Sequence, residues 1–167
     1  MAVLVYIESE ENKFKKTAYE ALSYGKALAD KMGVKVSGLV LNCSDTDSLK
    51  KYGADKIITI DNPDFEKFSS KKYSHALAEV IKSENSSVVI LSSSADSKFL
   101  GAHLSGITDS SYVSNVVGIP ESISPFVVKR TCFTNKAFSS TEMNDGLRII
   151  SVFSIIPNEL EETLIIL

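Results

Sequence analysis

Tryptophan is absent and cysteine nearly so: the 167 residues contain only Cys43 and Cys132. The two lie far apart and fit no CxxC spacing, which excludes a disulfide scaffold. Free thiols in a reducing cytoplasm are the expectation, since no charged leader stands ahead of "AVLVYIES". Basic excess is missing too. Eighteen Lys and Arg face 21 Asp and Glu, a net charge of −3, so neither nucleic acid nor an anionic membrane is an expected partner. No apolar run approaches the ~20 residues needed to cross a bilayer, so no membrane insertion is expected. Glycine-based phosphate motifs are lacking: there is no GxGxxG and no GxxxxGK(S/T). A GxSxG nucleophile elbow is lacking as well. The two histidines, His75 and His103, have no Cys, Asp or Glu at ligand spacing, so no metal is expected. Nothing in this inventory points to catalytic residues.

What is present is an ordinary globular composition, 44% apolar and 23% charged, in a chain long enough to bury a core unaided. "AVLVYI" (2–7) is a continuous apolar run, as a strand buried on both faces requires. Phe14, Ala18, Ala21, Leu22, Leu28, Ala29 and Met32 then fall on one helical stripe, which Gly33 closes as a C-cap. "VKVSGLVL" (34–41), "DKIITI" (55–60) and "SVVILS" (87–92) read as further strands. A short helix is expected in "NCSDTDSLKKYGA" (42–54). Tyr73, Ala76, Leu77, Val80 and Ile81 mark a second long helix, and a third spans roughly 96–106. Alternation of this kind implies an α/β fold of three layers, a mainly parallel sheet between helices. After residue 110 the pattern changes. "YVSNVVGI" (112–119), "SPFVVKRTCF" (124–133), "KAFSST" (136–141) and "LRIISVF" (147–153) read as strands with short turns between them. They are expected as an edge or hairpin extension, antiparallel in part.

One turn invites a ligand. Ser92, Ser93 and Ser94 end the fourth strand, and Lys98 follows in the next helix. Ligands in open α/β sheets sit at the carboxyl ends of strands, where helix N-termini offer free N–H groups. Ser93, Ser94 and Lys98 are therefore the candidate phosphate or anion residues. Against this, no glycine lies between Leu91 and Gly101, and Asp96 repels phosphate. Ser94 or Asp96 also serves as an ordinary N-cap. In the late strands, Arg130 and Lys136 carry two readings: charge protecting an exposed edge, or a docking surface for another domain or subunit.

Several segments taken in order resemble one family. They are "VLVYIE" (3–8), "KKYGADKIITID" (50–61), "VVILSSSADSKFL" (88–100), "SSYVSNVVGI" (110–119) and "VKRTCFTNKAFSST" (128–141), continuing to "RIISVF" (148–153). Together they resemble the N-terminal domain of the electron transfer flavoprotein alpha subunit. The resemblance implies an adenine-nucleotide-alpha-hydrolase-like, Rossmann-like sheet. It implies a carrier, not an enzyme, that takes electrons from acyl-CoA and other dehydrogenases toward the respiratory chain, as in fatty acid beta-oxidation. FAD would belong to the complete alpha/beta heterodimer, on a C-terminal domain that has no counterpart here. No cofactor is expected on this domain, and the beta subunit is the expected partner, docking near Arg130 and Lys136. Ser97, His103, Asn115 and Asn135 depart from the residues usual in the family, which are Gly, Arg, Asp and Gly. The domain is expected over 1–153. The apolar tail 154–167 falls outside the resemblance and favours self-association. The rival reading is a stand-alone nucleotide-binding module of universal-stress-protein-like fold.

Overall fold

The structure is a computed structural model and describes residues 1–44 and 46–153; the expected tail, 154–167, lies outside the described residues. Strand β1 (Ala2–Ile7) is buried at all six positions, as its unbroken apolar run demands. Two-residue strands β2 (Ser9–Glu10) and β3 (Lys13–Phe14) follow as a hairpin, turned by Glu11 and Asn12 at φ 49° and 59°. Helix α1 (Lys16–Met32) ends at Gly33 (φ 67°), whose N–H reaches the carbonyls of Ala29 and Asp30. Then come β4 (Lys35–Leu41), α2 (Asp47–Lys50), β5 (Lys56–Ile60) and a 3₁₀ turn at Pro63–Phe65. Helix α3 (Ser70–Glu84) is capped by the Ser69 side chain and leads into β6 (Ser86–Leu91). Helix α4 (Ala95–Thr108) precedes β7 (Ser111–Val116), β8 (Ser122–Ile123), β9 (Phe126–Cys132), β10 (Ala137–Met143) and β11 (Arg148–Val152).

The long strands form one sheet in the order β10-β9-β7-β11-β6-β1-β4-β5, with β8 beside β9. The six from β7 to β5 run parallel. At the far edge β9 is antiparallel to β7, and β10 to β9. This is the expected three-layer α/β arrangement. Two late strands depart from the edge-extension reading: β7 joins the parallel set, with β9 outside it. β11 is parallel and interior, wedged between β6 and β7. Its middle three residues are buried, and Ile149 and Ile150 enter opposite cores, so an edge position would leave one of them wet. The α4 crossover from β6 to β7 skips one strand position, and β11 fills it after the β8–β10 excursion.

Each face of the sheet has its own core. Val3, Val5 and Ile7 of β1 pack with Ala21, Leu22 and Leu28 of α1. Leu4 and Tyr6 pack with Leu77 of α3 and Leu100 and Leu104 of α4 on the other face. Helix α1 lies so close that a Cβ on Gly25 would come within 2.4 Å of the Val5 side chain. Among the described residues, no helix is long and apolar enough to cross a membrane.

Candidate functional site

From β1 the chain goes to β4 on one side; from β6 it goes to β7 on the other. α1 covers one face and α4 the opposite face. A crevice therefore opens at the carboxyl ends of β1 and β6, the place where ligands bind in open α/β sheets. The residues next in sequence after these two strands are Glu8 and Ser92. Glu8 is only 4% exposed. Its Oε2 accepts from the Ser92 hydroxyl at 2.6 Å and from the Ser97 hydroxyl at 3.2 Å. Both serines are 1% exposed, and their hydroxyl oxygens are 2.9 Å apart. The other carboxylate oxygen accepts from Lys15 Nζ at 2.7 Å, and Lys15 also reaches Glu10 at 3.4 Å. The backbone holds Lys15 in place, its N–H donating to the Glu8 carbonyl at 3.1 Å. The start of α4 thus faces a carboxylate from its own chain. Burial pushes the Glu8 carboxyl up, but hydrogen bonds from Lys15, Ser92 and Ser94, with the Lys15 charge, bring it net below its ordinary value. Lys15 is raised in turn, chiefly by its bond to Glu8.

Of the residues singled out in the serine turn, Ser94 caps α4: its Oγ accepts from the Ser97 N–H at 3.0 Å. Asp96, the other capping candidate, lies inside the first turn and is exposed. Ser93 is half-buried, and Lys98 is exposed and points no hydrogen bond into the Glu8 cluster. Sequence reasoning missed Glu8 and Lys15. The signal was a carboxylate set directly after a fully apolar strand.

Above Glu8 lies an open cleft of about 410 Å³. Among the described residues its lining carries five carboxylates (Glu8, Glu10, Glu11, Glu66 and Asp96) against the Lys15 ammonium, itself already paired. One wall is aromatic: Tyr73 packs edge-on against Tyr6, Phe65 and Phe68, and its hydroxyl donates to the Phe65 carbonyl at 2.8 Å. Burial first, then Tyr73, Glu8 and Asp96, raise the Tyr6 phenol. These residues do not fit the pyrophosphate of FAD or of any dinucleotide: Ser92, Ser97 and Lys15 are already engaged by Glu8, and the lining is negative. Among the described residues, no group of three or more His, Cys, Asp or Glu side chains is placed to hold a metal ion. His75 is exposed, and His103 Nδ1 lies 3.3 Å from the Ser70 hydroxyl.

A second feature stands at the other end of the sheet. Strands β9 and β10 form a hairpin whose turn leaves Phe133 80% exposed, and Phe138, on β10 opposite Thr131, is 60% exposed. Phe133, Thr134 and Asn135 all adopt positive φ, a tight turn that throws the Phe133 ring outward. Lys129 Nζ lies 4.7 Å from the centre of the Phe138 ring. Lys136 is exposed at the end of the turn, its N–H donating to the Cys132 carbonyl. Arg130 stands apart from it: half-buried, opposite Val116 of β7, with a buried Nε that has no partner among the described residues.

A family model described as the electron transfer flavoprotein domain matches residues 3–159. Curated relatives carry names of the same kind. The electron transfer flavoprotein subunit alpha of Bacillus subtilis is 24% identical over 148 residues, 87% of this chain and 45% of that protein. The acryloyl-CoA reductase electron transfer subunit beta of Anaerotignum propionicum is 30% identical over 102 residues, 59% of this chain and 28% of that protein. A lactate dehydrogenase (NAD(+),ferredoxin) subunit of Acetobacterium woodii is 26% identical over 92 residues, 53% of this chain and 22% of its own. The matches thus span less than half the length of each of these relatives.

Proposed function

Because the chain belongs to the electron transfer flavoprotein domain family, we propose that it serves as an alpha-type N-terminal domain, over residues 1–153. Its task is to dock a beta subunit and support an FAD-containing carrier, while holding no cofactor itself. Electrons would pass through the complete assembly, from acyl-CoA or other dehydrogenases toward the respiratory chain. The observation that carries this reading is the exposed aromatic pair on the β9–β10 hairpin, Phe133 at 80% and Phe138 at 60%. Aromatic side chains concentrate at the centres of protein interfaces, and each apolar Å² buried contributes roughly 25 cal/mol. Lys129 and Lys136 flank the rings and favour an acidic rim on the partner. Arg130 is half-buried on the same strand as Lys129, opposite Val116, and is the less accessible of the two docking candidates.

Mixing the chain with its cognate beta subunit tests this reading. Co-elution that is lost in Phe133→Ser/Phe138→Ser is the expected outcome; separate elution of the unaltered chains would sink it. The rival, a free-standing nucleotide module, has the fold in its favour but meets an acid-lined crevice. Titration with AMP or ATP separates the two: tight binding to the isolated chain supports the rival.

A further inference from the structure

We propose that Glu8 is a built-in anion occupying the phosphate position of this fold, so that one side chain excludes phosphate-bearing ligands from the crevice. The inference rests on the reading above that this domain holds no nucleotide. The observation is that a negative charge is already seated at the start of α4, 4% exposed, between two hydroxyls that are themselves 1% exposed and an ammonium. Ser92 follows β6 directly, and Ser97 stands on the first turn of α4, so both donors come from the strand-to-helix turn that holds phosphate in nucleotide-binding relatives of the fold. Lys15 completes the set from the start of α1. These donors suit any compact anion. A buried carboxylate without them is strongly disfavoured, so donors and anion explain one another.

A purely structural carboxylate and a plug differ in what removal leaves behind. Glu8→Ala deletes four heavy atoms and one negative charge, while Ser92, Ser97 and Lys15 still point at the vacated space. A structural role predicts a weakened protein and nothing more. A plug predicts that the variant gains an anion site of the size of inorganic phosphate.

The test is thermal unfolding of the full chain, unaltered and as Glu8→Ala, titrated with inorganic phosphate against chloride at matched ionic strength. The unaltered chain is expected to show only the gradual, non-saturating stabilisation that phosphate gives proteins by exclusion from their surface. The variant is expected to show a saturable, phosphate-specific rise, about 3–5 °C at roughly ten times the dissociation constant. Adding Ser97→Ala to the variant is expected to weaken that response severalfold. A folded Glu8→Ala with no saturable, phosphate-specific rise overturns the inference. If Glu8→Ala does not fold in chloride, refolding is measured in phosphate: recovery supports the plug, and equal failure overturns it. AMP or phosphate binding by the unaltered chain would defeat the scaffold reading as well, so the two failures are told apart.

Discussion

Glu8 shows how much one residue can carry and how little of it the sequence announces. An acid after an apolar strand reads as the start of a solvated loop. Its burial depends on Ser92 and Ser97, which are 84 and 89 positions away. No local pattern reports such a pairing. The pH dependence follows from the sign of its shift. The carboxyl is lowered in the folded chain, so the unfolded state binds its proton first as pH falls. The Glu8 contribution is full above the ordinary carboxylate value, near 4.3, and is lost as pH drops through the lower folded value. Glu8→Gln is expected to flatten this acid limb in urea unfolding between neutral and low pH; an unchanged slope would contradict the assignment. Two glycines give a second contrast. A Cβ on Gly25 would lie 2.4 Å from Val5 Cγ2, so Gly25→Ala is expected to cost about 1–3 kcal/mol. Gly106 in α4 has open space around it, so Gly106→Ala is expected to stabilise by about 0.5–1 kcal/mol. Denaturant midpoints for the two variants check both signs.

At the scale of elements, the runs of apolar residues were legible and their partners were not. "RIISV" reads as a buried strand from its isoleucines alone, yet its slot between β6 and β7 depends on parallel pairing with segments about 60 and 40 positions away. The β2–β3 hairpin was hidden because two-residue strands of polar residues carry no periodicity. The cap at Ser94 was legible, since capping depends only on neighbours three positions on. Helix α4 and the β9–β10 hairpin make opposite predictions. Leu100 is fully buried against the sheet, so Leu100→Ala is expected to cost about 2–5 kcal/mol. Phe133 and Phe138 touch solvent, so Phe133→Ser/Phe138→Ser is expected to change stability by no more than about 0.5 kcal/mol per site. Equilibrium unfolding in urea distinguishes a cost at the core from none at the hairpin.

For the molecule as a whole, alternating strand and helix patterns made the three-layer class readable from the first hundred residues. What they did not reveal is the polarity of the crevice, because its acids come from the residue after β1, from β2 and its turn, from the segment after β5 and from α4. The assembled picture is a nucleotide-type sheet with an acid at its ligand position and an aromatic hairpin at its far edge. On the proposed reading, the hairpin holds a partner and the crevice holds no cofactor. The most direct test is sedimentation of the chain mixed with its cognate beta subunit. The account predicts a one-to-one complex, weakened about tenfold or more by Phe133→Ser/Phe138→Ser. Two species that sediment separately, or a complex indifferent to that double substitution, would contradict it.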